Sequence, residues 1–187
     1  MPVTDDTARM TRAPSAPDHV RGAGTVLLLL AGLLAACGAG DHADADVTFA
    51  QQMIPHHRQA VQMAATHDAG PQVRALASEI ESAQGPEIRT MTAWLRGWDE
   101  KVPSATSHGS MGGMMSDTAM RALGRARGDA FDRLFLTQMV EHHSGAVAMA
   151  RKELADGASE KAEELASSVV QSQTAEIARM KRLLAAP

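Results

Sequence analysis

The sequence predicts an all-α protein, a four-helix bundle made of two similar helical hairpins. Three observations carry this. Alanine is abundant, aromatic residues are only 3% and tyrosine is absent, a balance that favours helix over sheet. Apolar residues after Asp46 recur at three- and four-residue steps, which places them on one helical face. The segment FAQQMIPHHRQAVQMA, from Phe49, returns as FLTQMVEHHSGAVAMA, from Phe135, 86 positions later.

Residues 1–37 read as a lipoprotein signal peptide. Arg9, Arg12 and Arg21 precede the apolar run Val26 to Ala36. That run is too short to cross a bilayer as a mature helix, and small residues precede the cleavage point, as in a secretory leader. LAAC, Leu34 to Cys37, resembles a bacterial lipobox, which makes Cys37 the lipidated first residue of the mature protein. The alternative is an ordinary signal peptide, or a hydrophobic tether, with an incidental cysteine. Met10 is an alternative start. Cys37 is the sole cysteine, so neither an internal disulfide nor a thiolate cluster can form. Residues 1–37 carry three Arg and three Asp, so the net charge of -4 belongs to the remainder. With no basic excess, a nucleic-acid partner is not indicated.

Residues 38–45, small and polar, read as a flexible tether with His42 in solvent. The domain follows at 46–187, enough chain for a core of its own. Its first hairpin covers 46–99. Asp46 is the expected N-cap of a helix whose stripe is Phe49, Met53, His56/His57, Ala60 and Ala64, with a kink at Pro55. A turn at 66–71 leads to a second helix from about Gln72 to Trp98. Its inward residues are Val73, Leu76, Ile80, Ala83, Glu87, Met91 and Trp94, with Trp94 and Trp98 packing at its end. A Met-rich connection spans 100–116. The second hairpin, 117–186, begins with a short helix over 117–125, set off by Gly128 from a long helix to about Ala155. A final helix ends near Ala185.

The repeat extends beyond the histidines. Asp46, Phe49, Met53, His56, His57, Ala60, Val61, Met63 and Ala64 return as Asp132, Phe135, Met139, His142, His143, Ala146, Val147, Met149 and Ala150. On the partner helices Gln84, Glu87, Ile88 and Met91 return as Gln173, Glu176, Ile177 and Met180, offset by 89. Two hairpins related by this repeat, stacked about a pseudo-twofold axis, give the bundle.

At about 100° per residue, both histidines of each pair flank the centre of the inward face. Met53 and Met139 lie one turn before His57 and His143; Met63 and Met149 lie two turns after His56 and His142. A lone inward His is commonly a hydrogen-bonded core residue, and Met a flexible core filler. Glu87 and Glu176 would then serve only as imidazole partners. Adjacent inward histidines, present twice, fit a ligand set better. Thioether suits Cu(I); imidazole suits either copper state or zinc. The metal candidates are His56, His57, His142, His143, Met53, Met63, Met139 and Met149, with Glu87, Glu176, Gln84 and Gln173 orienting the rings from behind. Imidazole must be neutral to ligate, so affinity is expected to fall as pH drops toward about 6.5. In the connection His108, Met111, Met114 and Met115 form a second set, a catch for Cu(I) or Ag(I); the alternative is that Met114 and Met115 cap the bundle's open end.

The segments MIPHHRQAVQMA, AQGPEIRTMTAWL, FLTQMVEHHSGAVAMA and SQTAEIARMKRLL together resemble the bacterial domain of unknown function 305, from Asp46 to Leu184. The resemblance implies a ferritin-like four-helix fold, an extracytoplasmic location and, for some members, copper binding and copper tolerance. It implies no reaction. No Glu-x-x-His lies inside the repeat, unlike the di-iron bundles. The function expected is a lipid-anchored, extracytoplasmic copper protein for buffering, sequestration or delivery, whose partners are the membrane, through the anchor, and copper-handling proteins. A metal-dependent oxidase, and a metal-free structural or partner-binding lipoprotein, are the alternatives.

Overall fold

The periodic segments become five helices in the computed structural model, which describes residues 41–65, 69–104 and 111–186. All lie within one unit, Cys37–Pro187. The helices are α1 (Asp44–Ala64), α2 (Pro71–Gly97), α3 (Asp117–Arg125), α4 (Gly128–Asp156) and α5 (Glu160–Ala185). No strand occurs among the described residues, and none of their helices is long and apolar enough to cross a membrane. The leader with Cys37, His67 in the first turn and His108 in the connection lie outside them.

α1 packs on α2 and α4 on α5, and the two hairpins meet through α1 and α4. Local chemistry sets several helix starts. Pro71 opens α2 behind Gly70, where its missing N–H costs nothing. Ser116 Oγ caps α3 by accepting from Ala119 N at 3.2 Å.

Asp46 was expected to cap its own helix, but Ala43 holds that place and α1 starts at Asp44. Asp46 is fully buried, and its carboxylate accepts from the Ser159 and Ala158 backbone N–H groups at 3.0 and 3.3 Å. It therefore caps the start of α5. Asp132, its counterpart in α4, accepts from Gly70 N at 3.1 Å, the start of α2. The first helix of each hairpin thus caps the second helix of the other, contacts worth about 1 kcal/mol each. The Asp46 bonds run from the N-terminal end of α1 to the C-terminal end of α4, so the two helices are antiparallel. Burial raises the Asp46 pKa, but hydrogen bonding to Glu153 and to the Ala43, Ser159 and Ala158 backbone outweighs it, and the net shift is downward.

Three further expectations need correction. Because α1 begins early, Asp44 and Ala45 are helical rather than tether. His42 is not in solvent: it is half-buried and stacks on Trp98, with ring centroids 4.5 Å apart and planes 11° apart. In α2, Ala83 is exposed and Gln84 is buried instead. The four-residue step from Ile80 keeps to the packed face and the three-residue step leaves it. α1 continues through the buried Pro55.

Two apolar clusters divide the core. One gathers Met63, Leu76, Ile80, Phe131, Phe135, Met139 and Met180. The other gathers Phe49, Met53, Met91, Leu95, Ala146 and Val169. Along α1 and α4 the histidine pairs fall between them.

Candidate metal centre

The histidines meet where α1 faces α4. His56 and His142 meet across the seam, tilted, with ring centroids 3.8 Å apart and planes 39° apart. His57 and His143 turn back toward their own hairpins. His57 Nε2 lies 2.6 Å from Glu87 Oε2 on α2, and His143 Nε2 lies 2.6 Å from Glu176 Oε2 on α5. All four imidazoles have zero solvent exposure.

Most of their nitrogens are unmet. Both nitrogens of His56 and of His142, and Nδ1 of His57 and of His143, have no hydrogen-bond partner among the described residues. Oε1 of Gln84 and of Gln173 is unmet as well. A buried polar atom without a partner costs about 1–3 kcal/mol, and native proteins carry few of them. Six in one layer, contributed by adjacent residues of two helices, mark a place built for something else. The carboxylates add direction. A neutral imidazole that gives its Nε2–H to a carboxylate keeps the lone pair on Nδ1.

Burial also keeps the seam pair neutral. It lowers the pKa of His56 to about 3, helped by charge on His57 and His143 and opposed by the nearby Gly112 backbone. It takes His142 well below its usual range, helped by His56, His143 and His57. The expected loss of ligand character near pH 6.5 is thereby moved to lower pH for these two rings.

The thioethers flank this layer. Met63 and Met139 belong to the cluster on one side; Met53, with Met149 half-buried against it, belongs to the other. The donor types are those that soft and borderline cations take, and both nearby carboxylates are already engaged with imidazoles. Among the described residues, no three His, Cys, Asp or Glu side chains converge on a single point. The donors form a layer with methionines above and below it, rather than a closed cage.

The Met-rich connection returns directly onto this layer. Gln59 clamps it, donating from Nε2 to Met115 O at 2.9 Å and accepting from Met115 N at 2.7 Å. Met115 is 8% exposed and belongs to the core, while Met111 and Met114 are half-buried. Gly113, at φ +84°, lies so close to α4 that a Cβ there would come within 2.8 Å of Glu141 O and 2.9 Å of His142 O. A Cβ on Gly145 would overlap the Gly112 carbonyl. Gln59 and Gly145 occupy equivalent positions in the repeat and differ completely. That difference between the halves is the signal the sequence carries for this contact.

An all-helical chain with two carboxylate-backed His-His pairs buried at a helix seam defines a class of protein with a candidate soft-metal layer. It belongs to the DUF305 family, a domain of unknown function, which matches residues 46–184. A DUF305 protein of Streptomyces coelicolor, described as secreted, is 34% identical with a TM-score of 0.69, covering 75% of this chain and 92% of its own. A DUF305 fragment from Deinococcus radiodurans is also 34% identical, with a TM-score of 0.68 and 76% and 97% covered. CopM in its Cu(I)-bound form is 33% identical, with a TM-score of 0.62 and 74% and 94% covered; Cu(II)-bound and Ag-bound forms of CopM match similarly. No curated protein matches the chain in sequence.

Proposed function

We propose that this protein is an extracytoplasmic copper-binding lipoprotein, anchored through Cys37, that buffers, sequesters or delivers copper at the imidazole layer. The carrying observation is the set of six unmet, fully buried imidazole nitrogens at the α1–α4 seam. His56, His57, His142 and His143 supply nitrogen; Met53, Met63, Met139 and Met149 supply sulfur; Glu87 and Glu176 fix the outer two rings. Met111 and Met114, half-buried in the connection, form the entry to it; His108 of the same run lies outside the described residues. The two hairpins make a duplicated, ferritin-like four-helix bundle. Copper in CopM and the description of the Streptomyces relative as secreted support the reading.

Dialysis of the purified protein against Cu(I) under reducing conditions, or Cu(II) in air, tests it. Bound copper should survive desalting and raise the melting temperature; ligand at a hundredfold excess over Kd stabilises by about 2.7 kcal/mol. His57→Ala together with His143→Ala should weaken binding at least tenfold. Equal copper content in the variant and the parent would refute the core site.

A further inference from the structure

Beside the seam, between the N-terminal part of α1 and the C-terminal part of α4, lies a cavity of about 480 Å³. Its size falls within the roughly 300–1,000 Å³ of small-molecule sites. Phe49, Ala148 and Met149 give it apolar walls, and Gly112 and Gly145 line it as well. Glu153 also lines it. That residue is 1% exposed; its carboxyl oxygens accept no hydrogen bond from an N–H group among the described residues, and its carboxyl faces that of Asp46.

The charge around Glu153 is one-sided. Burial first, and then Asp46, push its carboxyl up to about 8. The Asp46 carboxylate is already committed to the backbone N–H groups of Ala43, Ala158 and Ser159. Lys152, on the same wall, pairs with Asp156. Two carboxyl groups therefore face one another in a desolvated place, and among the described residues neither is in an ion pair with a cationic side chain. An anion would meet repulsion there. A neutral apolar molecule would leave the buried carboxyl unmet, at a cost of about 1–3 kcal/mol. A bare metal ion would find two carboxylates, Asp44 and Glu153, and one thioether in a space far larger than itself, with no third His, Cys, Asp or Glu donor among the described residues.

We propose that this cavity binds a small organic cation, a primary ammonium on an apolar body. The ammonium sits on Glu153 and the body lies against Phe49, Ala148 and Met149. Such a ligand supplies the donor that Glu153 lacks and buries its carbon where the walls are carbon. The site shares Met149 with the proposed copper set but needs no copper.

Calorimetric titration of the metal-free protein at pH 7 tests this with 2-phenylethylammonium. The alcohol 2-phenylethanol and the anion phenylacetate are the controls. The amine is expected to bind at least tenfold more tightly than the alcohol, and phenylacetate not at all. Glu153→Gln should weaken the amine at least tenfold. Ala148→Trp, at an exposed position on the cavity wall, should abolish binding while circular dichroism shows the helices unchanged. Absence of amine binding, equal affinity for amine and alcohol, or amine binding retained in either variant overturns the assignment.

Discussion

Leucine at both His56 and His142 is expected to make the metal-free protein more stable while removing its copper. Ordinary core histidines would give the opposite result, because their loss would strand hydrogen-bond partners. Here all four ring nitrogens of the pair are unmet and fully buried. Replacing such groups with apolar ones of similar size removes a desolvation cost of about 1–3 kcal/mol at each site. Repacking around a ring pair only 3.8 Å apart takes back part of that gain, leaving a net rise of about 2 kcal/mol. Urea denaturation should show a higher midpoint at an unchanged slope. With copper present the order should reverse, since only the parent gains ligand-linked stability. Stability given up at a functional site in this way is common.

Acid is expected to unfold the metal-free protein early. The folded state keeps His56 neutral down to about pH 3 and holds His142 well below its usual range. The unfolded chain protonates both near pH 6.5. Below that pH the unfolded state binds more protons, so stability falls as pH falls. Each ring contributes on the order of 1.4 kcal/mol per pH unit. Glu153 works in the other direction. Its folded pKa is raised to about 8 from 4.5, so its contribution is present at low pH and lost as pH rises through 8. Between pH 4.5 and 6.5 the two histidines outweigh the single carboxyl, while between 6.5 and 8 the carboxyl acts alone. Stability should therefore peak near pH 6.5 and fall by about 2 kcal/mol by pH 5, a sizeable part of the 5–15 kcal/mol typical of a domain. Thermal melts from pH 4 to 9 check this. The double leucine variant should lose the acid limb, and Glu153→Gln should lose the alkaline one. A profile flat between pH 5 and 7 in the parent would mean that the seam imidazoles are not held neutral by the fold.

Much of this fold was legible because helical burial has a period. The stripes Phe49–Met53–His57–Ala60 and Phe135–Met139–His143–Ala146 are buried as the spacing indicated, and α3 occupies 117–125 as expected. The His–Glu pairing was legible for another reason: Glu87 and Glu176 recur with the histidines at nearly the same offset, which ties side chains on different helices together. What escaped was non-local or broke the repeat. Asp46 has the composition of a local cap, and only the approach of the α4–α5 turn gives its carboxylate to Ser159. Ala83 scores as apolar in a stripe, yet so small a side chain gains little from burial and is easily left outside. Glu153 has His67 as its counterpart, so comparison of the two halves gave it no weight, and a single Glu near a helix end reads as surface. Met63 and Met149 correspond in sequence, but one is fully buried and the other half-buried on a cavity wall. The Gly112–Gly113 segment of the connection, packed against α4, is what the two halves do not share.

X-ray absorption at the copper edge, on protein loaded with one equivalent of Cu(I), probes the imidazole layer most directly. The expected spectrum contains imidazole nitrogen scattering from at least two rings, with sulfur alongside, and the nitrogen signal weakens in the His56→Leu/His142→Leu variant. An all-sulfur spectrum, or one unchanged by that double substitution, would place the copper away from the seam and contradict a metal-binding role for the buried histidines.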